Sequence, residues 1–360
     1  MVSIADVAKK AGVGLGTVSR VLNDSPQVRP DTRARVLAVM SELGYEAKRS
    51  KHRKDPHQGG LIGVLVHFFE GASVYPRLRG IVTWLQPRGF EVVLHIIDSP
   101  ERARERLMEL PRSRQIDGLI VLSLPVQPIE GERLADAHFP TVLLDTGHPA
   151  LPSVTINDHV GGMMSTRHLV DLGHERIAFV GEPHRNPFGF IASRDREEGY
   201  IAAMDAAGFD VPETYIRRGP YLRTAGRQMA NELFSLAEPP TAIVCSSDLQ
   251  ALGVIEAARA SGRSVPEDLS VIGFDDIEMA SMVGLTTIRQ PLELSGQRAA
   301  DLMLIALDTE ANVHTDAMPR PTAPLKEEVQ LELIARSTTG PTPSARHRRS
   351  RPVANRTSRR

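Results

Sequence analysis

From Leu61 onward the chain alternates short apolar runs with amphipathic stretches, and this rhythm limits its possible folds more than any other feature. The runs are LIGVLV at 61–66, EVVLHII at 91–97, DGLIVL at 117–122, TVLLD at 141–145, RIAFVG at 176–181, TAIVCSSD at 241–248 and LSVIGFDD at 269–276. Amphipathic segments lie between them, among them 100–110, 160–172, 194–207, 223–236 and 248–261. Runs that are apolar at consecutive positions suit strands buried on both faces. Strands alternating with helices predict a parallel, doubly wound sheet. About 280 residues of this pattern exceed one such sheet, so two α/β lobes are expected. Ligands of open α/β sheets bind outside the carboxyl ends of the strands. That rule singles out Asp145, Ser247, Asp248, Asp275 and Asp276, with Asp276 expected to cap the helix after it.

The first 45 residues have a different period and read as three short helices. Ser3-Ile4-Ala5-Asp6 has the form of a capping box with Asp in place of Glu. Ile4, Val7, Ala8 and Ala11 then recur at helical spacing, and Gly12 suits a left-handed stop. A second helix starts near Gly14 and Leu15, with Val18, Val21 and Leu22 on one face, and Asn23-Asp24-Ser25-Pro26 breaks it. Pro30 suits the first position of a third helix, whose expected stripe is Val36, Leu37, Met40 and Leu43, ending at Gly44. Two helices joined by a short Gly-containing turn and braced by a third form the all-α helix-turn-helix pattern.

Charge is segregated along the chain. The formal net charge is −1, yet residues 1–60 hold 11 Lys/Arg against 6 Asp/Glu, and residues 340–360 hold 7 Arg and no acid. Basic segments flanking an acidic body point to a polyanion partner. The expected organisation is a DNA-binding head at 1–45, a basic hinge or linker at 46–60, a two-lobed core at 61–339 and a disordered basic tail at 340–360.

Several classes are disfavoured. The one cysteine, Cys245, excludes an intrachain disulfide and a Cys-based zinc site. No apolar run is long enough to span a bilayer, and the first residues do not read as a signal peptide, so a cytoplasmic, nucleoid-associated protein is expected. No His-Glu-x-x-His or Gly-x-Ser-x-Gly motif occurs, and Gly14-Leu15-Gly16 lacks the strand and lysine of a phosphate loop. No metal, cofactor or catalytic residue is expected, and the chain reads as a non-enzyme.

At this point the sequence resembles the lactose-repressor (LacI/GalR) family of bacterial transcription regulators. The resemblance rests on IADVAKKAGVGLGTVSRVLNDSPQVRPDTRARVLAVMSELGY at 4–45, HLVDLGHERIAFVG at 168–181, RDREEGY at 194–200, SSDLQALGVIEAARASGRSVPEDLSVIGFDD at 246–276 and LTTIRQPLELSGQRAADLML at 285–304. It covers about residues 3–339. It implies a DNA-binding head, a hinge, and a core like that of periplasmic sugar-binding proteins. Such regulators bind near-palindromic operator DNA as homodimers, and a small effector, most often a sugar, alters their affinity. The resemblance thus implies a repressor. The rival reading is a sugar-binding transport receptor, which shares the core fold but not the head.

The resemblance places Leu15, Gly16 and Arg20 against base edges. Arg20 can fork onto guanine, and Leu15 offers apolar contact to a thymine methyl. Thr17, Ser19 and Asn23 suit phosphates, as does Ser3 at a helix start. The hinge departs from the family pattern: Ala47, Lys48, Lys51, His52 and Lys54 stand at patterned positions, and Lys54 replaces the leucine that wedges into the minor groove. Lys48 and Lys54 are therefore expected to bind DNA electrostatically and to bend it less. For the effector the resemblance implies Arg196 and Asp275, with Ser247 and Asp248 at the family's Asn-Asp or Ser-Asp position, where Asp248 equally suits a helix cap. Asp158, where the chain crosses between lobes, and Asp145 complete the set. Phe69, Tyr75, Phe188 and Phe190 are candidate stacking surfaces, and His174 is expected to hold a turn. The sequence leaves open which sugar binds, whether it induces or corepresses, and which operator is read.

Overall fold

A computed structural model describes residues 3–22, 28–43, 45, 59–67, 72–112, 115–313 and 323–342. The chain separates into two compact units, Met1–His57 and Gln58–Arg360.

In the first unit α1 (Ile4–Ala11), α2 (Leu15–Leu22) and α3 (Pro30–Leu43) pack around Val7, Ala8, Ala11, Val18, Val21, Val28 and Val36. The capping box is formed: the Ser3 amide donates to Asp6 Oδ2 (2.8 Å), and the Asp6 amide donates to Ser3 Oγ (3.3 Å). Gly12 ends α1 in the left-handed region (φ 65°) and turns the chain into α2. The stripe expected on α3 needs one correction. Val36, Met40 and Leu43 face the core with Val39, but Leu37 is 50% exposed. One residue on from Val36 is a turn of about 100° around the helix, which carries Leu37 off the buried face. The breaker at 23–26 and the stop at Gly44 lie outside the described residues.

The second unit holds two lobes. The first has the strands β1 (Leu61–His67), β2 (Glu91–Ile97), β3 (Gly118–Leu122), β4 (Thr141–Leu144) and β5 (Ser153–Thr155). Its helices within that stretch are α4 (Val74–Leu85), α5 (Pro100–Glu109) and α6 (Pro128–Ala135). The second lobe runs through α7 (Asp158–Asp171), β6 (Ile177–Gly181), α8 (Ala192–Ala206), β7 (Ile216–Arg218), α9 (Arg223–Phe234) and β8 (Ala242–Cys245). It continues with α10 (Asp248–Ala260), β9 (Ser270–Asp275), α11 (Glu278–Val283) and β10 (Thr286–Arg289). The chain then returns to the first lobe with α12 (Leu292–Val313) and β11 (Lys326–Glu328), and ends in the second with β12 (Glu332–Ile334). The sheets have the orders β11-β5-β4-β3-β1-β2 and β12-β10-β9-β8-β6-β7. All described pairings are parallel except β10 with β12. This is the pair of doubly wound lobes that the apolar rhythm predicts. Strands β3, β4 and β9 are buried at every position, as helices on both faces require.

The chain passes between the lobes three times, at 156–157, 290–291 and 329–331. His174 braces the second lobe: its ring nitrogens lie 2.9 Å from Thr241 Oγ1, 3.0 Å from Ser270 Oγ and 3.0 Å from the Gly340 carbonyl. It holds a turn, as expected. Among the described residues no helix is long and apolar enough to cross a membrane.

Candidate effector cleft and DNA-contacting helix

Four non-glycine residues of the described chain have a positive φ: Ser123 (53°), Asp145 (62°), Asp275 (120°) and Asp276 (57°). All follow or end strands β3, β4 and β9 at their carboxyl ends. Such conformations store strain and persist where the surrounding structure holds them.

The side chains of Ser123, Asp145 and Asp275 belong to one hydrogen-bonded chain. Ser123 Oγ donates to Asp145 Oδ2 (2.7 Å), and Arg77 Nη2 donates to Asp145 Oδ1 (2.7 Å). Arg77 comes from the first turns of α4 and is 2% exposed. The same Nη2 reaches Gln290 Oε1 (2.8 Å). Gln290 stands on the crossing after β10 and donates through Nε2 to Asp275 Oδ1 (2.6 Å). Tyr221 completes the line by donating to Asp275 Oδ2 (2.9 Å). A continuous polar path therefore runs from the strand ends of one lobe to those of the other.

Arg196 lies beside this path. Its Nε donates to Asp158 Oδ1 (2.7 Å), its Nη1 to the Ser246 carbonyl (2.5 Å), and its guanidinium carbon sits 3.6 Å from the centre of the Phe274 ring. The flat cation is thus held on an aromatic face and by a carboxylate, which fixes its orientation. Burial raises the Asp158 carboxyl to about 6 despite the opposing pull of Arg196. Burial also raises Asp275, against the charges of Arg196 and Arg77. Glu182, directly after β6, is raised by burial while Arg196 opposes it. Fixed donors and acceptors on two facing lobes suit a polyhydroxylated ligand, whose hydroxyls both donate and accept.

Of the expected effector residues, Asp145, Asp158, Arg196 and Asp275 are brought together. Ser247 and Asp248, also expected there, are held by partners within the second lobe. Ser247 is fully buried and caps α10, its Oγ accepting from the Gln250 amide (3.2 Å). Asp248 is also fully buried and accepts from Thr287 Oγ1 (2.6 Å) and the Ile277 amide (2.9 Å), tying α10 to β10 and to the start of α11. Asp276 does not act as the expected cap: it accepts from Arg289 Nε (2.7 Å) and Arg336 Nη2 (2.7 Å). Arg77, Gln290, Tyr221, Ser123 and Glu182 are not singled out by the sequence. Only strand-end position signals Ser123 and Glu182, and position on a crossing signals Gln290. Tyr75 is 69% exposed, and Phe69 lies outside the described residues. Among the described residues no group of three or more His, Cys, Asp or Glu is arranged for a metal ion.

In the head, α2 buries Val18 and Val21 and turns Leu15, Gly16 and Arg20 outward. Leu15 is 54% exposed, an apolar side chain that the head's own core does not use. A Cβ at Gly16 would meet nothing within 4 Å, so internal packing does not demand this glycine. Thr17 and Ser19 are partly buried at the edge of the same surface. Ser3 is exposed, and its hydroxyl donates to Asp6 Oδ2 (2.6 Å). Asn23, Lys48 and Lys54 lie outside the described residues.

Residues 3–47 match the model of bacterial regulatory proteins of the lacI family, and residues 166–339 match a periplasmic binding protein-like domain. The chain is 32% identical over 313 residues to catabolite control protein A of Priestia megaterium, covering 86% of this chain and 93% of that protein. It superposes on a lac repressor dimer bound to operator and the anti-inducer ONPF with a TM-score of 0.69. The identity there is 28%, covering 94% of this chain and 99% of that one. A transcriptional regulator CelR–cellobiose complex gives a TM-score of 0.67 at 30% identity, covering 94% and 100%. The chain belongs to the LacI family of bacterial regulatory proteins. It is a DNA-binding transcriptional regulator with a helix-turn-helix head and a two-lobed core.

Proposed function

We propose that this regulator is a homodimeric repressor whose grip on operator DNA is set by a sugar, a mono- or oligosaccharide, held between the core lobes. The observation that carries the reading is the polar path Asp145–Arg77–Gln290–Asp275–Tyr221, with Arg196 and Asp158 beside it. Atoms from both lobes contribute, so a ligand bound there has different contacts when the lobes shift, which is what allosteric control requires. The similar CelR chain, solved with cellobiose, supports a sugar as the ligand class. The path holds and orients; it presents no nucleophile aligned with a base, and no turnover is expected.

On the DNA side, Arg20 reads a guanine, Leu15 touches a thymine methyl and Gly16 lets the backbone approach. Thr17, Ser19 and Ser3 hold phosphates, with Asn23, Lys48 and Lys54 extending that contact. One head reads too short a site for useful specificity, and two match a palindrome. Exposed apolar side chains on α4 and α11 are available to the second copy. They are Tyr75 (69% exposed), Met279 (45% exposed) and Met282 (79% exposed).

A thermal-shift screen across mono- and disaccharides, followed by operator-binding titrations of the hits, tests the reading. A true effector raises Tm by mass action and changes operator affinity. A protein that selects no genomic fragment over scrambled competitor, with or without any sugar, contradicts it.

A further inference from the structure

Besides the three chain crossings and the polar path, the loop between β6 and α8 also links the lobes. Its roots are fixed in the second lobe. The Glu182 amide donates to Ser193 Oγ (2.8 Å), closing the loop on itself. His184 Nε2 lies 3.0 Å from Oε2 of the buried Glu197, which Arg218 also holds through Nε (2.9 Å). The tip is stiff. Asn186 Nδ2 donates to the Phe190 carbonyl (2.8 Å), the Phe190 amide returns a bond to Asn186 Oδ1 (2.9 Å), and Gly189 makes the turn at φ 77°. Phe188 and Phe190 stack with ring planes 9° apart. Compact loops closed at the root and packed by their own side chains behave as units.

The tip leaves its own lobe. Pro187 and Phe188 line a small cavity with Ala103 and Leu107 of α5 and with Leu124 after β3, beside the polar Arg104, Gln127 and Glu130. Both phenylalanines pack on the core of the first lobe. Phe188 also meets the His67 ring, with centroids 3.9 Å apart. Val66 pairs with Leu122 in the sheet, so His67 stands beside Ser123 and hence beside the Asp145–Arg77 end of the polar path. Burial pushes His67 down to about 4, so at neutral pH it meets the rings as an uncharged partner.

We propose that loop 182–191 is an interlobe latch: a prong rooted in the second lobe whose tip, Pro187-Phe188, seats in a socket of the first, with apolar and polar side chains around it, and gates opening of the cleft. The loop is not covalently continuous with the first lobe, so its hold is reversible. An effector entering or leaving the cleft has to wait for Phe188 to withdraw.

Hydrogen–deuterium exchange on the full-length protein without added sugar tests the latch directly. Phe188→Ala raises exchange at 184–191, at the socket segments 100–107 and 124–130, and at the crossings 155–157 and 289–291, which the loop tip does not line. Phe188→Leu, which keeps an apolar plug, stays near wild type. Ala103→Glu fills the socket from the other lobe with a longer, charged side chain and reproduces the Phe188→Ala pattern. Exchange unchanged at the crossings in both disruptive variants overturns the proposal, because a local packing defect stops at the socket.

The kinetic consequence rests on the effector reading above. With cellobiose as the probe, stopped-flow binding to Phe188→Ala should show association and dissociation both faster by about tenfold, the scale expected for one half-buried ring. Rates equal to wild type overturn the gating role. A wild-type protein that binds no sugar at all contradicts the effector reading instead, and the exchange comparison then decides the latch by itself.

Discussion

Arg20 is the one long cation on the outward face of α2, and the base-reading role assigned to it has a definite signature. Arg20→Ala should cost about 1–3 kcal/mol of operator binding and erase discrimination at one base pair in each half-site. Fluorescence anisotropy on the operator and its single-base variants measures both. A uniform loss across all sequences would make Arg20 a phosphate contact instead. In the core, Asp158 is the titrating residue with the clearest consequence. Its carboxyl is raised to about 6 by burial, and Arg196 opposes the shift without cancelling it. The folded state therefore holds this proton more tightly than the unfolded chain, whose ordinary value is 3.8. Stability from this group is greatest below pH 4 and falls as pH rises to 6, then levels. Urea melts of wild type and Asp158→Asn between pH 4 and 7 should show a shallower decline in the variant, by roughly 1–3 kcal/mol across the window. Parallel curves contradict the assignment.

How legible these residues are follows from where their partners come from. Asp145 and Asp275 are visible in the sequence because strand ends of a parallel sheet are where ligands bind. Ser247 stands at a strand end too, yet a serine before a helix is equally suited to capping, and only the fold shows which use prevails. Arg77 and Gln290 meet across 213 residues of chain, a distance no local pattern spans.

At the scale of elements, the helix pairs beside the cleft are set by glycines. A Cβ on Gly162 of α7 would lie 2.1 Å from the Arg196 carbonyl oxygen of α8, and one on Gly296 of α12 would lie 2.1 Å from the Arg77 carbonyl oxygen of α4. Both cleft arginines therefore sit on backbone that a glycine of the neighbouring helix approaches closely. Gly162→Ala and Gly296→Ala should each destabilise the core by about 1–3 kcal/mol through overpacking against backbone. Each should also weaken the effector that the screen identifies, because the arginine moves with its main chain. Thermal denaturation and calorimetric titration read the two effects separately, and unchanged values in both would contradict the positioning role. The alternation of strand and helix is legible from apolar periodicity alone. The return of α12 to the first lobe is not. Its 22 residues resemble any amphipathic helix, and which sheet it covers is decided by long-range packing of Ala299, Ala300 and Met303.

The whole molecule joins a basic head to an acidic body, which sets its response to salt. Each Lys or Arg that neutralises a phosphate releases counterions, so log affinity should fall linearly with log salt, with a slope of about −0.9 per phosphate contact. Titrations from about 50 to 200 mM salt on operator and on unrelated DNA measure it. A flat response would mean that the heads do not grip phosphates. Charge segregation makes a polyanion partner legible from the order of residues alone. What charge does not give is the coupling: how a ligand in the body is sensed by the head.

The most direct test of that coupling is the operator affinity of wild type and Arg196→Ala, each with and without the sugar found to raise the wild-type Tm. The sugar should change wild-type affinity by at least about 5-fold, the lower range for allosteric coupling, and leave Arg196→Ala unmoved although that variant still binds operator. Equal wild-type affinities with and without a sugar that demonstrably occupies the core would contradict the account.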